Sequence, residues 1–167
     1  MNYELISPRD ETLTEIEQIL INRGIKEEEI FHFKHPTEGD LINPLLLDNI
    51  EQGAKMLIKH ISLNNKIFIQ VDADCDGYTS ASLLINYLNA LFPHYVQTKI
   101  IYRTHDEKAH GLLLDTIPED VKLVIAPDAS SSDFEIHKKL KAKGIEVLII
   151  DHHEAEKISE DACIINN

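Results

Sequence analysis

Three short stretches of the chain carry side chains suited to phosphate and metal chemistry. Residues 70–78 read QVDADCDGY, with Asp72, Asp74 and Asp76 at alternating positions directly after the apolar run Ile67-Phe68-Ile69. Residues 127–133 read PDASSSD, with Asp128 near the head, and residues 149–154 read IIDHHE, with Asp151, His152 and His153 together. Like charges crowded at the edge of a core raise one another's pKa unless a cation lies among them. Carboxylates and imidazoles without thiolate suit manganese or magnesium. In a dinuclear site one carboxylate, for which Asp128 is the candidate, bridges two ions about 3.5–4 Å apart and water is activated for in-line attack on phosphorus. Gly77 lets the chain leave a strand and open a helix whose N-terminus favours anions. Cys75, between two candidate ligands, reads as a spacer that strand alternation points away from them.

The elements around these stretches determine whether they can meet. Helical spacing through Leu13, Ile16, Ile19 and Leu20 predicts a helix over 11–22, with Gly24 as its stop. A second short helix is expected over 27–33, and HPTEGDLINP (35–44) reads as a connector. Helical spacing returns from Asp48, a candidate N-cap, to Ile61. Strands are predicted at 66–71, 99–102, 122–126, 146–150 and 162–166. Helices are predicted between them at about 78–91, near 111–116 and from Asp133 to Lys143, the last capped by the serines Ser130 to Ser132.

Short apolar strands alternating with helices describe an α/β fold: a parallel β-sheet with helices on both faces, here preceded by a helical N-terminal segment. The expected organisation is a helical preface over 1–64, packed on an α/β core over 65–167. Ligands of such sheets gather outside the carboxyl ends of the strands. Asp72, Asp74 and Asp76 follow the first strand, Asp128 the third, and Asp151, His152 and His153 the fourth. Any one of these acids alone is as readily a helix cap or a solvated turn residue. Three groups at one sheet edge argue for a site.

The 167 residues carry a net charge of −13, with a pI near 5.0, and 43% of them are hydrophobic. The apolar share is enough for a core, and no sequence-wide basic field is available to hold a nucleic-acid backbone. Phosphoester chemistry remains open, because bound divalent ions cancel acidic charge locally. The two cysteines, Cys75 and Cys163, lack CxxC spacing and read as reduced thiols. No signal-peptide pattern and no apolar run of membrane-spanning length is present, so a soluble cytoplasmic protein without membrane association is expected. Two rival chemistries fit poorly. DADCDG copies the start of a calcium-binding EF-hand loop, but Leu83 stands at the twelfth position, where a bidentate glutamate is required. An aspartyl-phosphate phosphatase of the haloacid dehalogenase type needs DxDGT, and Tyr78 stands where the threonine belongs.

In order and spacing, DADCDG, PDASSSD and IIDHHE resemble the DHH phosphoesterase superfamily. The tail KGIEVLIIDHHEAEKISEDACIINN, and a preface containing NRGI (22–25), are similar to its RecJ-type single-strand-specific exonuclease branch. The resemblance implies metal-dependent phosphodiester hydrolysis, 5′ to 3′ on single-stranded DNA, in DNA repair and recombination. It implies two divalent metal ions, Mn2+ or Mg2+, and a single-strand-binding protein or helicase as partner. It makes Asp74, Asp76 and His152 metal ligands, Asp128 the bridging ligand, and His153 the group that meets the scissile phosphate. Asp72 takes a weaker, partly supporting place in the metal set, because no histidine directly precedes it. Asp151 orients the histidine pair. Arg103 and His110 fall where the branch has an arginine and a GYGL-like segment, and both are expected to bind substrate, Arg103 on a phosphate.

The family's fourth motif lies well beyond the DHH triplet, whereas this sequence stops at Asn166-Asn167. The resemblance therefore leads us to expect a core truncated before that motif, with weakened metal binding and poor or no processive nuclease activity. Two alternatives stand beside the exonuclease reading. One is a phosphodiesterase or phosphatase for small substrates such as short oligonucleotides, cyclic dinucleotides or pyrophosphate. The other is a non-catalytic DHH scaffold. The preface of about 65 residues favours the exonuclease branch over the first, and the retained acids and histidines favour catalysis over the second.

Overall fold

Apolar residues alternate along short extended runs, and these runs pair into one sheet. In the computed structural model, which describes residues 8–105, 110–155 and 157–166, the strands are β1 (Lys66–Val71), β2 (Ile100–Thr104), β3 (Val121–Pro127), β4 (Glu146–Ile150) and β5 (Cys163–Ile165). All pairs are parallel, in the order β2-β1-β3-β4-β5. The register aligns Val71 with Thr104 and Pro127 with Ile150, so the carboxyl ends of neighbouring strands share one edge. The connection out of β1 runs to one side of it, to β2, and β3 returns on the other side. This reversal of strand order opens a crevice at the carboxyl ends of β1 and β3, where ligands of open α/β sheets bind.

The helices are α1 (Glu15–Asn22), α2 (Glu27–Lys34), α3 (Ile50–Ser62), α4 (Cys75–Leu91), α5 (Pro93–Lys99) and α6 (Phe134–Ala142). The chain divides into two units, Met1–Asn43 and Pro44–Asn167. In the first, α1 begins behind a capping box of Thr14 and Glu17, and Lys34 Nζ reaches Glu17 Oε1 at 3.1 Å. The helix predicted over 11–22 therefore starts at Glu15, because Thr14 satisfies its first amides. Of the predicted apolar stripe only Leu20 is buried; Ile16 and Ile19 are more than half exposed.

The second unit contains the sheet and α3, so the helix assigned from sequence to the preface lies with the core. Gly53 makes that contact close: a Cβ there would stand 2.7 Å from Ile165 Cδ1 and 2.9 Å from Leu148 Cδ1. Period-two alternation sends β-strand side chains into two apolar layers. Ile67, Ile69, Val71, Leu123, Ile125 and Leu148 pack with Ala81 of α4 and with Leu57 and Ile61 of α3. Phe68, Val124, Val147 and Ile149 pack with Leu140 of α6. Helices thus cover both faces, and a sheet buried on both sides explains the near-continuous apolar strands.

Several local expectations are corrected. Asn49, not Asp48, precedes α3; it is left-handed (φ 62°) without a side-chain cap bond, and its Nδ2 donates to Ile164 O at 2.8 Å. α5 was not expected at all. Residues 111–116 hold only a single 3-10 turn, Leu114–Thr116. α6 has Asp133 at its N-cap position with no side-chain cap bond, so Ser130 to Ser132 do not cap it. Cys75 is not on a strand: it opens α4 and is exposed.

Candidate metal centre

The crevice is built by what happens directly after β1, β3 and β4. After β1, Asp72 turns inward and is 2% exposed, while Asp74 becomes the N-cap of α4, its Oδ1 accepting from Gly77 N at 3.1 Å. Asp76 then sits exposed in the first helical turn. The alternation read from the sequence as strand is therefore strand end, cap and helix start. Gly77 is dictated by space: a Cβ there would stand 2.6 Å from Asp72 Cβ and 2.9 Å from its carbonyl.

After β3 the backbone is contorted. Asp128 and Ser130 both adopt positive φ, 82° and 86°, a region that non-glycine residues seldom occupy and that clusters at functional sites. Asp128 N donates to Ile150 O at 2.6 Å, which ties the β3 end to the β4 end. After β4, Asp151 is buried and accepts four hydrogen bonds. Its Oδ1 takes the amides of His152 (2.7 Å) and His153 (3.0 Å) and Nδ1 of His153 (2.8 Å), and its Oδ2 takes Ser131 N at 2.9 Å. Burial alone would raise its pKa, yet the bonds from Ser131 and His153 outweigh burial and hold it at about 2.

These turns bring the predicted acids and histidines into two groups of three. Asp72, Asp74 and His110 each offer a ligand atom within 4.8 Å of the others, and so do Asp76, Asp128 and His152. In the first group His110 Nδ1 lies 2.6 Å from Asp72 Oδ2, and this bond raises the His110 pKa. In the second, His152 Nε2 lies 3.1 Å from Asp128 Oδ1 and 3.6 Å from Asp76 Oδ2. Burial, and then the charges of Asp76 and Asp74, push the Asp128 carboxyl above the usual carboxylate range. Among the described residues its Oδ2 is buried without a partner. A buried, mutually repelling carboxylate with an unused oxygen fits a divalent cation, and the oxygen-and-imidazole donor set fits manganese or magnesium.

His153 stands apart from both groups, held by Asp151, whose bond raises the His153 pKa. With Asp72, His110 and Ser130 it lines a cleft of about 360 Å³. Arg103 lies elsewhere, on β2 beside Gln70, whose Nε2 donates to the Arg103 carbonyl at 3.1 Å, and it does not line that cleft. Two features were not read from the sequence. His105 is buried with its Nε2 3.7 Å from Asp72 Oδ1, and Gly111 N donates to the same oxygen at 3.2 Å. Asp72, which lacks a preceding histidine in sequence, thus meets two histidines across space.

Asp151→Ala is expected to destabilise the fold by about 2 kcal/mol, because the buried Ser131 amide and the part-buried amides of His152 and His153 lose their acceptor. Its carboxyl is depressed from 3.8 to about 2, so its contribution is full above pH about 4 and is lost as pH falls towards 2. Denaturant unfolding at pH 7 and pH 3 checks both points: the gap between parent and variant must narrow at pH 3.

Residues 66–167 match the DHH family, N-terminal domain. Over 167 residues, all of this chain, the sequence is 45% identical to the "Putative SPbeta prophage-derived single-strand DNA-specific exonuclease YorK" of Bacillus subtilis (strain 168), and spans 28% of that protein. Over 121 residues, 70% of this chain, it is 32% identical to the single-stranded-DNA-specific exonuclease RecJ of Haemophilus influenzae, spanning 21% of it. The chain therefore covers about a quarter of the length of these curated relatives. Among solved structures, exonuclease RecJ bound to manganese superposes with a TM-score of 0.63 at 20% identity, covering 75% of this chain and 33% of that one. RecJ in complex with Mn2+ from Thermus thermophilus gives 0.62 at 18% identity, covering 88% and 20%. At such identities the likeness is one of fold.

Proposed function

We propose, from the premise that this chain belongs to the DHH family by its N-terminal domain, that it is the metal-dependent catalytic core of a RecJ-like exonuclease. The substrate in this reading is single-stranded DNA, degraded 5′ to 3′ in repair or recombination. The observation that carries the reading is the buried Asp128 carboxylate, raised in pKa by Asp76 and Asp74, whose Oδ2 has no partner among the described residues. We place the boundary of the catalytic unit at Pro44, because α3 shares the core of the sheet. No helix among the described residues is long and apolar enough to cross a membrane.

Asp72, Asp74 and His110 would hold one Mn2+ or Mg2+, and Asp76, Asp128 and His152 a second, with Asp128 shared between them. Bound there, the ions supply Lewis acidity towards the phosphodiester and lower the pKa of water. The remaining work falls to the chain itself. Asp151, ionised down to about pH 2, can only accept, so His153 Nδ1 must donate to it. The bond to Asp151 raises the His153 pKa, and in the imidazolium form the ring's Nε2–H can donate to a non-bridging phosphate oxygen. His110 is oriented in the same way by Asp72, whose other oxygen is engaged by Gly111 N.

Hydrolysis of 5′-labelled single-stranded DNA, a dinucleotide and pyrophosphate, each with manganese and with Asp128→Ala as blank, tests the proposal. Mononucleotides released from DNA by the parent alone are the expected result. Dinucleotide or pyrophosphate cleavage without DNA cleavage would move the chain to the small-substrate branch. Silence on all three would overturn catalysis by this chain.

A further inference from the structure

We infer that a groove beside the metal centre binds one nucleobase of the single strand, with Tyr78 and Tyr102 as its stacking faces. The inference rests on the exonuclease reading and adds to it the element that selects unpaired bases. The groove, about 300 Å³, lies between α4 and β2 and is walled by Tyr78, Tyr102, Val71, Ala81, Ile85 and Asn86. Tyr78, Ala81 and Ile85 recur at helical spacing on one face of α4. β2 is an edge strand, and Tyr102 and Tyr78 remain 62% and 47% exposed.

Two residues of the groove are chain neighbours of the proposed metal ligands. Val71 of its floor is followed directly by Asp72, and Tyr78 N donates to the carbonyl of Asp74 at 3.1 Å. In this reading a strand whose phosphate lies at Asp74 and Asp76 sets a neighbouring base on Tyr78, one helical turn on from Asp74. The charge balance argues for the same occupant. At a net charge of −13 the chain gains little from a phosphate backbone, whereas stacking is indifferent to that charge. Stacking one base on an aromatic ring strengthens binding about five- to 150-fold. Asn86 at the rim adds an amide that pairs with base edges. Bases inside a duplex are stacked on both faces, so the groove favours an unpaired one.

The test uses hexathymidylate with methylphosphonate linkages, which resists hydrolysis and carries no backbone charge, and its abasic counterpart. Anisotropy of a labelled oligomer reads binding to the parent, Tyr78→Ala, Tyr102→Ala and Tyr102→Phe. The parent should prefer the base-bearing oligomer by fivefold or more. Each alanine variant should lose about tenfold on that oligomer alone, and Tyr102→Phe should retain the preference. Equal affinity of the parent for both oligomers, or binding of neither, overturns the inference without any variant. A retained base preference in both alanine variants also overturns it. So does a self-association lost in Tyr102→Ala while base preference persists, which would give the groove to a second copy. Base preference without hydrolysis of DNA would fail the exonuclease reading and leave the groove assigned. Hydrolysis without base preference would do the reverse.

Discussion

Asp128→Asn is expected to stabilise the metal-free protein while removing its response to manganese. The Asp128 carboxyl is 7% exposed, and its pKa is raised first by burial and then by Asp76 and Asp74. A carboxyl raised in the fold contributes favourably only below its unfolded pKa; at pH 7 its ionised form is a cost. Asparagine removes that charge, keeps the shape, and tolerates the positive φ of 82° that alanine would strain. What is lost is the contact of Asp128 Oδ1 with His152 Nε2, 3.1 Å apart at an imidazole 60% exposed, so the loss is small. Metal binding responds in the opposite sense, because a ligand common to both proposed ions disappears.

Thermal melting in chelator and in manganese separates these effects. The parent should melt higher with manganese, as any ligand that binds only the folded state requires. The variant should melt at or above the parent in chelator and show little further rise with metal. Turnover on single-stranded DNA should fall about a thousandfold or more, the several kcal/mol that metal assistance supplies. A variant that keeps the full manganese shift would remove Asp128 from the metal set. One that melts below the parent in chelator would mean that the buried charge is already compensated.

That site was legible in outline because it rests on strand ends, and strand ends follow from composition. KIFIQV and EVLII are apolar runs bounded by polar turns, and they form β1 and β4 at the predicted limits, 66–71 and 146–150. Once three such runs were parallel, Asp72, Asp128 and Asp151 had to share an edge. The chain after β1 was read less well. Three aspartates at alternate positions look extended, yet Asp74 is a better cap than a strand residue, so α4 begins at Cys75. α5 is not legible in the sequence because none of its seven residues is fully buried, and Tyr95, packed partly on the core, is too little to make an apolar period. The exposed apolar residues of α1 carried the period without the burial that it normally signals.

What periodicity cannot carry is contact across loops. His105 and His110 meet Asp72 from more than thirty positions away, through a segment with no regular spacing. The left-handed backbone of Asp128 and Ser130 likewise follows from tertiary ties, chiefly Asp128 N to Ile150 O and Ser131 N to Asp151 Oδ2. Local propensity disfavours both conformations, and the surrounding bonds over-determine them. Conflicts of this kind between local preference and fold concentrate at functional sites.

Gly77→Ala should do the most damage to the architecture of the centre. The glycine is in the first turn of α4 with no positive φ, so its conformation is open to alanine, and helix propensity alone would favour the change by about 0.5–1 kcal/mol. Space decides against it. The new methyl would stand 2.6 Å from Asp72 Cβ and 2.9 Å from the Asp72 carbonyl carbon and oxygen, none of which is the free end of a flexible side chain. Asp72 cannot yield cheaply, because its carboxylate is engaged by His110 Nδ1 and Gly111 N, and β1 behind it is buried on both faces. Overpacking of this kind costs about 1–3 kcal/mol, occasionally more. With the propensity gain subtracted, the net expectation is about 1 kcal/mol, or a melting point lower by about 2–4 °C at this chain length. Gly39→Ala is the control: its Cβ would meet only Thr37 Oγ1, at an ordinary 3.5 Å, and its melting point should stay within a degree or two. Because the methyl pushes on Asp72 itself, turnover of Gly77→Ala should fall even at temperatures where the variant is fully folded. A Gly77→Ala protein as stable as the parent would mean that the turn after β1 can move as a unit, and that Asp72 is held by its hydrogen bonds rather than by the packing of α4.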